Sequence, residues 1–295
     1  MSVVKDERIE KCPRIVKCAM IGDVVGNIGI ETLEAYLPVI IKDNNINFVT
    51  VNGENAAEGF GITEKDYFRI LAAGADVVTS GNHVWEKRDF WSILEIERNI
   101  LRPANYPSGS ATVQNVSGVG FATSKKNGIN WIVINLQGRE GMTPIDCPFQ
   151  CFDRLIGILT GRATDIHPLL SGDSSFSFPI ILIDLHAESS REKEAFAYYA
   201  DGRASLVAGT HTHVQTADER ILPRGSAYIT DLGMTGNSDS VIGMDPKICF
   251  ERSRKMVMYH METASDKKLG KVQGVIAEID ADTGTAISIK RISYG

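Results

Sequence analysis

The sequence is poor in cysteine and histidine, and it has no long apolar run. Its 295 residues include five cysteines and six histidines. The cysteines are odd in number and scattered without a Cys-x-x-Cys pair, which is typical of a reduced intracellular protein. No segment approaches the ~18 consecutive apolar residues of a membrane span, and the opening MSVVKDERIEKCPR lacks the apolar core of a signal peptide. We therefore predict a cytoplasmic location and no membrane association.

Strong runs of basic residues are also missing. The chain has 31 Lys and Arg against 37 Asp and Glu, which gives a formal net charge of −6. This balance argues against a protein that wraps a nucleic-acid backbone, so we predict no stable binding of duplex nucleic acid. A small anionic substrate is still possible, provided that a local feature supplies positive charge.

No internal repeat or long linker divides the chain. The length is within the range that one large α/β domain occupies. We predict a flexible leader over residues 1–13 and a single domain over residues 14–295. The sequence leaves the oligomeric state open, a homo-oligomer included.

Short apolar runs that end in polar or glycine residues recur along the chain. They are rich in Val and Ile and too short for free-standing helices, so they predict strands that are buried on both faces. The runs are IVKCAMIGD, FVTVNGEN, DVVTSGNH, WIVINLQG, IILIDLHAE, SLVAGTHTH and AYITDLG. Segments with apolar residues at helical spacing lie between them, namely IETLEAYLPVIIKD, TEKDYFRILAAG, KRDFWSILEIERN and KEAFAYYA. This alternation predicts an α/β fold.

Local signals indicate where some of these elements begin and end. Thr63 is a predicted helix N-cap, and Gly74 is predicted to end the same helix. Ser189 and Glu192 have the spacing of a capping box. Near the C-terminus, VQGVIAEID and AISIKRIS flank the turn residues 282–284 and predict an antiparallel hairpin. At least one sheet is therefore expected to be mixed.

Polar side chains collect at the carboxyl ends of five predicted strands. Ligands bind beyond these ends in open α/β sheets, and a sheet brings the ends side by side. Four of the six histidines fall at these positions, whereas His167 and His260 lie in loop-like or peripheral sequence. The strand-end residues are Asp23, Glu54, Asn55, Asn82, His83, His186, His211 and His213.

His211 and His213 flank a single threonine in the segment THTHVQTAD. In an extended strand, residues i and i+2 face the same side, so both imidazoles would point into one space as a metal clamp. Two polar residues on an exposed edge strand would have the same spacing. The other strand-end residues also have structural alternatives, as a helix cap, a turn former or a hydrogen-bonded core histidine.

Taken together, the strand-end side chains form a mixed nitrogen and oxygen donor set. Such a set suits manganese, iron or zinc, and it has too much nitrogen for a magnesium or calcium site. Two divalent ions would outweigh the charges of Asp23 and Glu54, so the centre would attract an anionic phosphate ester. Two metals ~3.5 to 4 Å apart can clamp the attacking and leaving oxygens and can make hydroxide near neutral pH. Cys147 and Cys151 are an alternative metal pair, but no second pair stands at zinc-finger spacing.

A series of ordered motifs resembles the YmdB-like family of bacterial metallophosphoesterases, from about Arg14 to the C-terminus. The motifs are GDVVG, NGENAAEGFGIT, GNHVW, LRPANYP, NLQGR, DLHAE, DGRASLVAGTHTHVQTADERILP and YITDLGMTG. The resemblance implies a calcineurin-like α/β fold, which is a four-layer αββα sandwich with two mixed β-sheets. It also implies a dinuclear metal centre that hydrolyses phosphodiesters, with 2′,3′-cyclic nucleotides as the substrate class.

The resemblance further implies a role for each strand-end residue. One metal would be held by Asp23, Glu54, Asn55 and His213, and the other by Glu54, Asn82, His186 and His211. Glu54 would bridge two ions of iron or manganese, with zinc as an alternative, and His83 would be the general acid. Compared with the wider metallophosphoesterase superfamily, the usual Asp-x-His reads Asp23-Val24-Val25 here, and Glu54 replaces the usual bridging Asp. The stretch 161–178 matches the family poorly.

Other functions fit parts of the same pattern. GDVVGNIG after a strand, followed by Glu54 at the end of the next strand, is similar to a dinucleotide-binding Rossmann site, although the spacing is not GxGxxG. That function leaves three strand-end histidines without a role. A phosphomonoesterase, or a regulator that binds a nucleotide at the metal centre with little turnover, would use the same ligands.

Overall fold

The computed structural model describes residues 14–107, 116–160, 178–265 and 270–295. The leader predicted over 1–13 and nearly all of the divergent stretch 161–178 lie outside the described residues. None of the helices within the described ranges is both long enough and apolar enough to span a membrane.

The described strands form two large mixed sheets and one small two-stranded sheet. The first sheet contains β1 (Ile15–Ile21), β3 (Phe48–Asn52), β4 (Val77–Thr79), β12 (Val272–Asp280) and β13 (Ala286–Tyr294). The second contains β5 (Phe121–Lys126), β6 (Ile129–Gln137), β7 (Ile180–His186), β8 (Leu206–Thr210), β9 (Arg220–Ile221) and β10 (Ala227–Ile229). The small sheet pairs β2 (Asp23–Val24) with β11 (Met234–Thr235).

Both large sheets combine a parallel centre with antiparallel strands. The first has the order β13-β12-β1-β3-β4, in which β1, β3 and β4 are parallel and the hairpin β12–β13 lies antiparallel to β1. The second has the order β5-β6-β7-β8-β10-β9, in which the four inner strands are parallel and the two edge strands are antiparallel. The predicted C-terminal hairpin and the two mixed sheets are therefore confirmed. A single doubly wound sheet, which the dinucleotide-binding alternative requires, is not present in the described part of the chain.

Helices cover the outer faces of both sheets. The described helices are α1 (Gly26–Asn44), α2 (Glu64–Ala73), α3 (Trp91–Ile96), α4 (Pro148–Thr160), α5 (Ser190–Ala200) and α6 (Pro246–Lys255). Leu33 of α1 packs in the core outside the first sheet, and Phe152 of α4 and Phe196 of α5 pack in the core outside the second. A third core lies between the sheets, where Phe48 stacks on Trp131 with the ring centroids 4.6 Å apart. Three cores between four layers confirm the predicted αββα sandwich.

The helix signals were correct in part. Thr63 caps α2 by accepting a hydrogen bond from the backbone N–H of Asp66, and Gly74 ends the helix with φ 119°. Ser189 caps α5, but the Glu192 carboxylate accepts from the backbone N–H groups of residues 139 and 140 rather than completing a capping box.

The helix predicted from KRDFWSILEIERN is shorter than expected. It is reduced to a 3₁₀ turn at Arg88–Phe90 and the six residues of α3. Beyond α3 the chain pairs with β4, since the N–H of Val78 donates to the carbonyl of Asn99 over 2.7 Å. This pairing with the sheet competes with helix formation and ends the helix early.

The space between the sheets changes from apolar to polar toward the carboxyl ends of the parallel strands. Every second residue of a strand faces this space, so the change can be followed along each strand in steps of two. All of these side chains are buried. From the apolar to the polar end, the residues that face this space are Trp131, Val133, Asn135 and Gln137 on β6; Ile180, Leu182, Asp184 and His186 on β7; Leu206, Ala208 and Thr210 on β8; and Phe48, Thr50 and Asn52 on β3. The candidate site therefore lies at the edge of the sandwich where these polar strand ends meet.

Candidate active site

Side chains from four strand ends meet at one ring nitrogen, Nε2 of His186. It lies 2.9 Å from Glu54 Oε1, 3.0 Å from His211 Nδ1 and 3.1 Å from Asn82 Oδ1. Ligand atoms this close together can share one ion, because bonds from nitrogen or oxygen to a metal such as zinc measure ~2.0 to 2.2 Å. Gly81 is required here, since a Cβ on it would lie 2.2 Å from Cδ2 of the His186 ring. The structure thus brings together all four residues expected at the second metal.

The residues expected at the other metal lie beside this group but farther apart. His213 Nε2 is 3.8 Å from Asp23 Oδ1, and Asp23 Oδ2 accepts from the backbone N–H of His211 over 3.3 Å. The remaining acceptors, Asp23 Oδ1 and Asn55 Oδ1, are buried and have no hydrogen-bond partner among the residues that the structure describes. Buried acceptors without donors are costly, and a divalent cation would satisfy both. The side-chain oxygens of Asp23 and Asn55 and the Nε2 of His213 are therefore suitable ligands for a metal ion.

The His186 ring is held in the orientation that a metal ligand needs. Its Nδ1 lies 2.9 Å from Thr210 Oγ1, and the Thr210 hydroxyl donates to Asp184 Oδ1 over 2.6 Å. Because that hydroxyl gives its proton to the carboxylate, its oxygen accepts a hydrogen bond from Nδ1 of the ring. Nε2 is consequently the nitrogen that faces Glu54 and Asn82, as is usual when a second group orients a ligating histidine.

The geometry of His211 and His213 differs from the prediction. Strand β8 ends at Thr210 and lies between β7 and β10, so neither histidine is on an edge strand or in an extended strand. Both have left-handed backbone, with φ 99° at His211 and φ 62° at His213. The prediction that both rings face one side of an extended strand was therefore wrong, because the turned backbone aims the two rings at different partners. Such strained positions persist where surrounding contacts fix them, often at functional sites.

Separate hydrogen bonds orient these two rings. Nε2 of His211 lies 3.2 Å from a carboxylate oxygen of Glu188, which leaves Nδ1 toward His186. Nδ1 of His213 donates to the carbonyl of Ile242 over 2.8 Å, which leaves Nε2 toward Asp23. His186, His211 and His213 therefore each turn one ring nitrogen toward the predicted metal positions.

The left-handed turn at His211 and His213 rests on a buried ion pair. Asp231 accepts hydrogen bonds from the backbone N–H and the hydroxyl of Thr212, over 3.3 and 2.8 Å. The same carboxylate oxygen lies 2.7 Å from Nζ of Lys193, and both charged side chains are 1% exposed. Loss of one partner would leave a buried charge unpaired, so the pair holds the turn strongly in place.

Burial and mutual charge shift the titration of the clustered groups. Burial raises the pKa of Asp23 to about 6. Burial opposes the charged form of Glu54, but the positive charge of His186 outweighs it and lowers the pKa to about 2. For His186, burial is likewise outweighed by Glu54, and the pKa rises to about 9. Burial and the charge of His186 lower the pKa of His211 to about 3. When no metal is bound, the protonated His186 ring supplies the positive charge next to Glu54.

His83 lies next to the clustered ligands without being one of them. Its backbone N–H donates to Glu54 Oε2 over 3.1 Å, and its side chain is 24% exposed. The ring packs edge-on against Phe60, and Nδ1 lies 3.3 Å from Glu86 Oε1. This position suits a group that reaches substrate. Glu86 was not among the predicted site residues, although its spacing of three residues from His83 in GNHVWE could have indicated it.

Buried polar groups that were not predicted from the sequence lie beneath the ligands. Asp184 is fully buried and accepts hydrogen bonds from the hydroxyls of Thr79 and Thr210 and from Nδ2 of Asn52. Burial raises its pKa, and these hydrogen bonds oppose the rise. Oδ1 of Asn52 in turn accepts from the backbone N–H of Glu54 over 3.1 Å. Polar residues two positions before a ligand on a strand were the signal available in the sequence.

Within the described part of the chain, one compact group of three or more His, Cys, Asp or Glu side chains could hold a metal, namely Glu54, His186 and His211. The alternative pair Cys147 and Cys151 is not part of it. His260, in peripheral sequence, is exposed, and His167 lies outside the described residues.

The chain is similar to known proteins over most of its length. The model of the YmdB-like protein family matches residues 19–292. The 2′,3′-cyclic-nucleotide 2′-phosphodiesterase of Bacillus subtilis is 42% identical over 277 residues, which cover 94% of this chain and 96% of the relative. A crystal structure of a Mycoplasma pneumoniae phosphatase is 31% identical, with a TM-score of 0.81 and coverage of 96% of this chain and 94% of that one.

A more distant structure supports the fold alone. The NAD nucleotidase of Haemophilus influenzae is 13% identical, with a TM-score of 0.58, and the match covers 96% of this chain and 56% of that one. Together with the phosphatase, it confirms the predicted calcineurin-like fold class.

Replacing Thr210 by Val should weaken metal binding. The change keeps the shape of the side chain but removes the hydroxyl that orients His186, and loss of such a supporting group typically costs ~10- to 100-fold in metal affinity. Thr210→Ser is the matched control, because it keeps the hydroxyl. Calorimetric titration of metal into chelator-treated protein measures the effect, and equal affinities for the two variants would contradict the role of the hydroxyl.

Metal binding should release about one proton at pH 7. The raised pKa of His186, about 9, means that metal-free protein carries a proton that a ligating nitrogen must lose. Apparent affinity should therefore rise ~10-fold per pH unit toward pH 9 and level off above it. Titrations in buffers of different ionisation enthalpy count the released protons, and His260→Ala should release the same number. No release at pH 7 would show that His186 does not give up a proton to the metal.

Proposed function

This chain belongs to the YmdB-like family, and we propose that it is a metal-dependent phosphodiesterase that acts in the cytoplasm. Its proposed substrates are 2′,3′-cyclic nucleotides or related RNA-derived phosphodiesters. The observation that carries the proposal is the convergence of Glu54, Asn82 and His211 on Nε2 of His186. The activity of the 42%-identical relative supports the substrate class. Small nucleotides or RNA ends, rather than duplex nucleic acid or membranes, are the proposed partners.

The proposed centre holds two divalent ions of iron or manganese, with zinc as an alternative. Glu54 would contribute a ligand to both sites; Asn82, His186 and His211 would complete one site, and Asp23, Asn55 and His213 would complete the other. Within the described ranges, Oδ1 of Asp23 and Oδ1 of Asn55 have no hydrogen-bond donor, which supports the presence of a cation at the second of these sites. When bound, the ions supply charge neutralisation at the phosphate and activation of the attacking water.

His83 is proposed to protonate the leaving group. In hydrolysis of a cyclic diester, the water oxygen bonds to phosphorus, one phosphorus–oxygen bond to the ribose breaks, and the ribose oxygen takes up a proton. His83 is partly exposed, and Glu86 lies at its Nδ1, so Nε2 is the nitrogen left to donate. A positioned acid of this kind matters most when the leaving alkoxide is poor.

A panel of phosphate esters tests the function. With metal-loaded protein of known metal content, 2′,3′-cyclic nucleotides should be hydrolysed faster than phosphomonoesters, because the strained ring opens readily. Glu54→Gln, which removes the charged bridge, should lose both metal and activity. Faster hydrolysis of monoesters would identify a phosphatase, and tight binding of every diester without turnover would identify a regulator.

Replacing His83 by Ala separates its proposed acid role from metal binding. The variant keeps the backbone N–H that contacts Glu54, so metal content should not change. Cleavage of cyclic nucleotides should slow by ~10²- to 10⁴-fold, the usual contribution of general acid catalysis. Hydrolysis of bis(p-nitrophenyl) phosphate should hardly change, because its phenolate departs without a proton. Equal losses on both substrates, with metal intact, would remove the acid role.

A further inference from the structure

Two motifs, NLQGR and LRPANYP, contain residues at the site for which the proposed mechanism gives no role. Gln137 is the last residue of β6 and is fully buried. It lies in register with His186 on the neighbouring parallel strand β7. Residues in register on parallel strands point to the same face, so the carboxamide of Gln137 lies in the same layer as the His186 ring.

The carboxamide of Gln137 is only half satisfied. The Tyr106 hydroxyl lies 3.3 Å from its Oε1 and donates to it. Its Nε2 is buried and has no hydrogen-bond partner within the described ranges. The strand end itself is fixed, because Asn105 bonds both the backbone N–H and the carbonyl of Gln137, over 2.9 and 2.7 Å. A buried amide N–H without an acceptor is costly, so this group is free to donate to an acceptor that a ligand would bring.

Tyr106 places this pair at the candidate active site. Its ring packs against Trp85 with the centroids 4.3 Å apart, and Trp85 stands two residues after His83. Burial and the negative charge of Glu54 raise the pKa of Tyr106 to about 12, so its hydroxyl keeps the proton that it donates to Gln137. With Oε1 occupied in this way, the NH₂ group must point away from Tyr106.

We propose that Nε2 of Gln137 is a substrate-binding donor for an anionic non-bridging oxygen of the phosphoryl group, and that Tyr106 orients it. This inference rests on the proposed function, since it assigns a further residue of the same site. An amide donor adds no charge, so it binds the phosphoryl oxygen without repelling the ions held by His186 and Glu54. Preorganised donors of this kind contribute strongly when charge builds up on an oxygen.

Two variants test the assignment. Gln137→Met keeps the length of the side chain and removes the donor, and the double variant Tyr106→Phe/Gln137→Met also removes the hydroxyl that would otherwise lose its acceptor. Both should lose kcat/KM by about 10- to 100-fold, the loss expected for one hydrogen bond to a charged group. The loss should be the same for 2′,3′-cyclic AMP and for bis(p-nitrophenyl) phosphate, which has no ribose. Metal content should stay unchanged.

Stability and phosphate binding complete the test. The double variant should unfold at a Tm no lower than the wild type, because it replaces a half-satisfied buried amide by apolar atoms. Both variants should also bind inorganic phosphate about 10-fold or more weakly, a readout that does not depend on turnover.

Each departure from these results has a separate meaning. Unchanged kcat/KM and phosphate affinity, or a lower Tm as the sole effect, would overturn the assignment. A loss confined to the cyclic nucleotide would show that the amide contacts the ribose and would also overturn it. A wild type that binds phosphate through Gln137 but cleaves no diester would refute the proposed function and leave this inference standing.

Discussion

The buried carboxylate of Asp184 is the interaction on which the candidate site depends. It joins the two sheets, because its hydrogen-bond donors come from Asn52 and Thr79 of the first sheet and from Thr210 of the second. Two of these hydrogen-bond donors also position the predicted metal ligands. Asn52 accepts a hydrogen bond from the backbone N–H of Glu54, and Thr210 accepts one from the ring of His186. A buried carboxylate without these donors would be unstable, so the fold and the site require each other.

The sandwich builds the site as a series of layers. Large apolar residues such as Phe48 and Trp131 fill the deep part of the space between the sheets, and the strand period of two then places Asp184 one step below His186. Loops add the remaining groups at the rim, where the ion pair of Lys193 and Asp231 supports a backbone turn that is costly on its own. Side chains held in this way are preorganised to receive metal and substrate, which is the basis of electrostatic catalysis.

Much of this could be predicted from the sequence, because the relevant signals are local. Buried strands, the Thr63 cap and the polar strand ends depend on residues within a few positions of one another. The prediction failed where a distant contact decides the outcome. Glu192 binds the backbone of another segment instead of completing its capping box, and the pairing of residue 99 with β4 shortens α3. The left-handed backbone at His211 was likewise not visible in a pattern that also fits an extended strand.

A crystal structure of the metal-loaded protein, with anomalous diffraction measured at the metal absorption edge, would show how many ions the site binds and through which atoms. We expect two ions that share Glu54, one bound by Nε2 of His186 and Nδ1 of His211, the other by Nε2 of His213 together with carboxylate and amide oxygens. A single ion, or an ion bound to His186 through Nδ1 with the contact to Thr210 broken, would contradict this expectation.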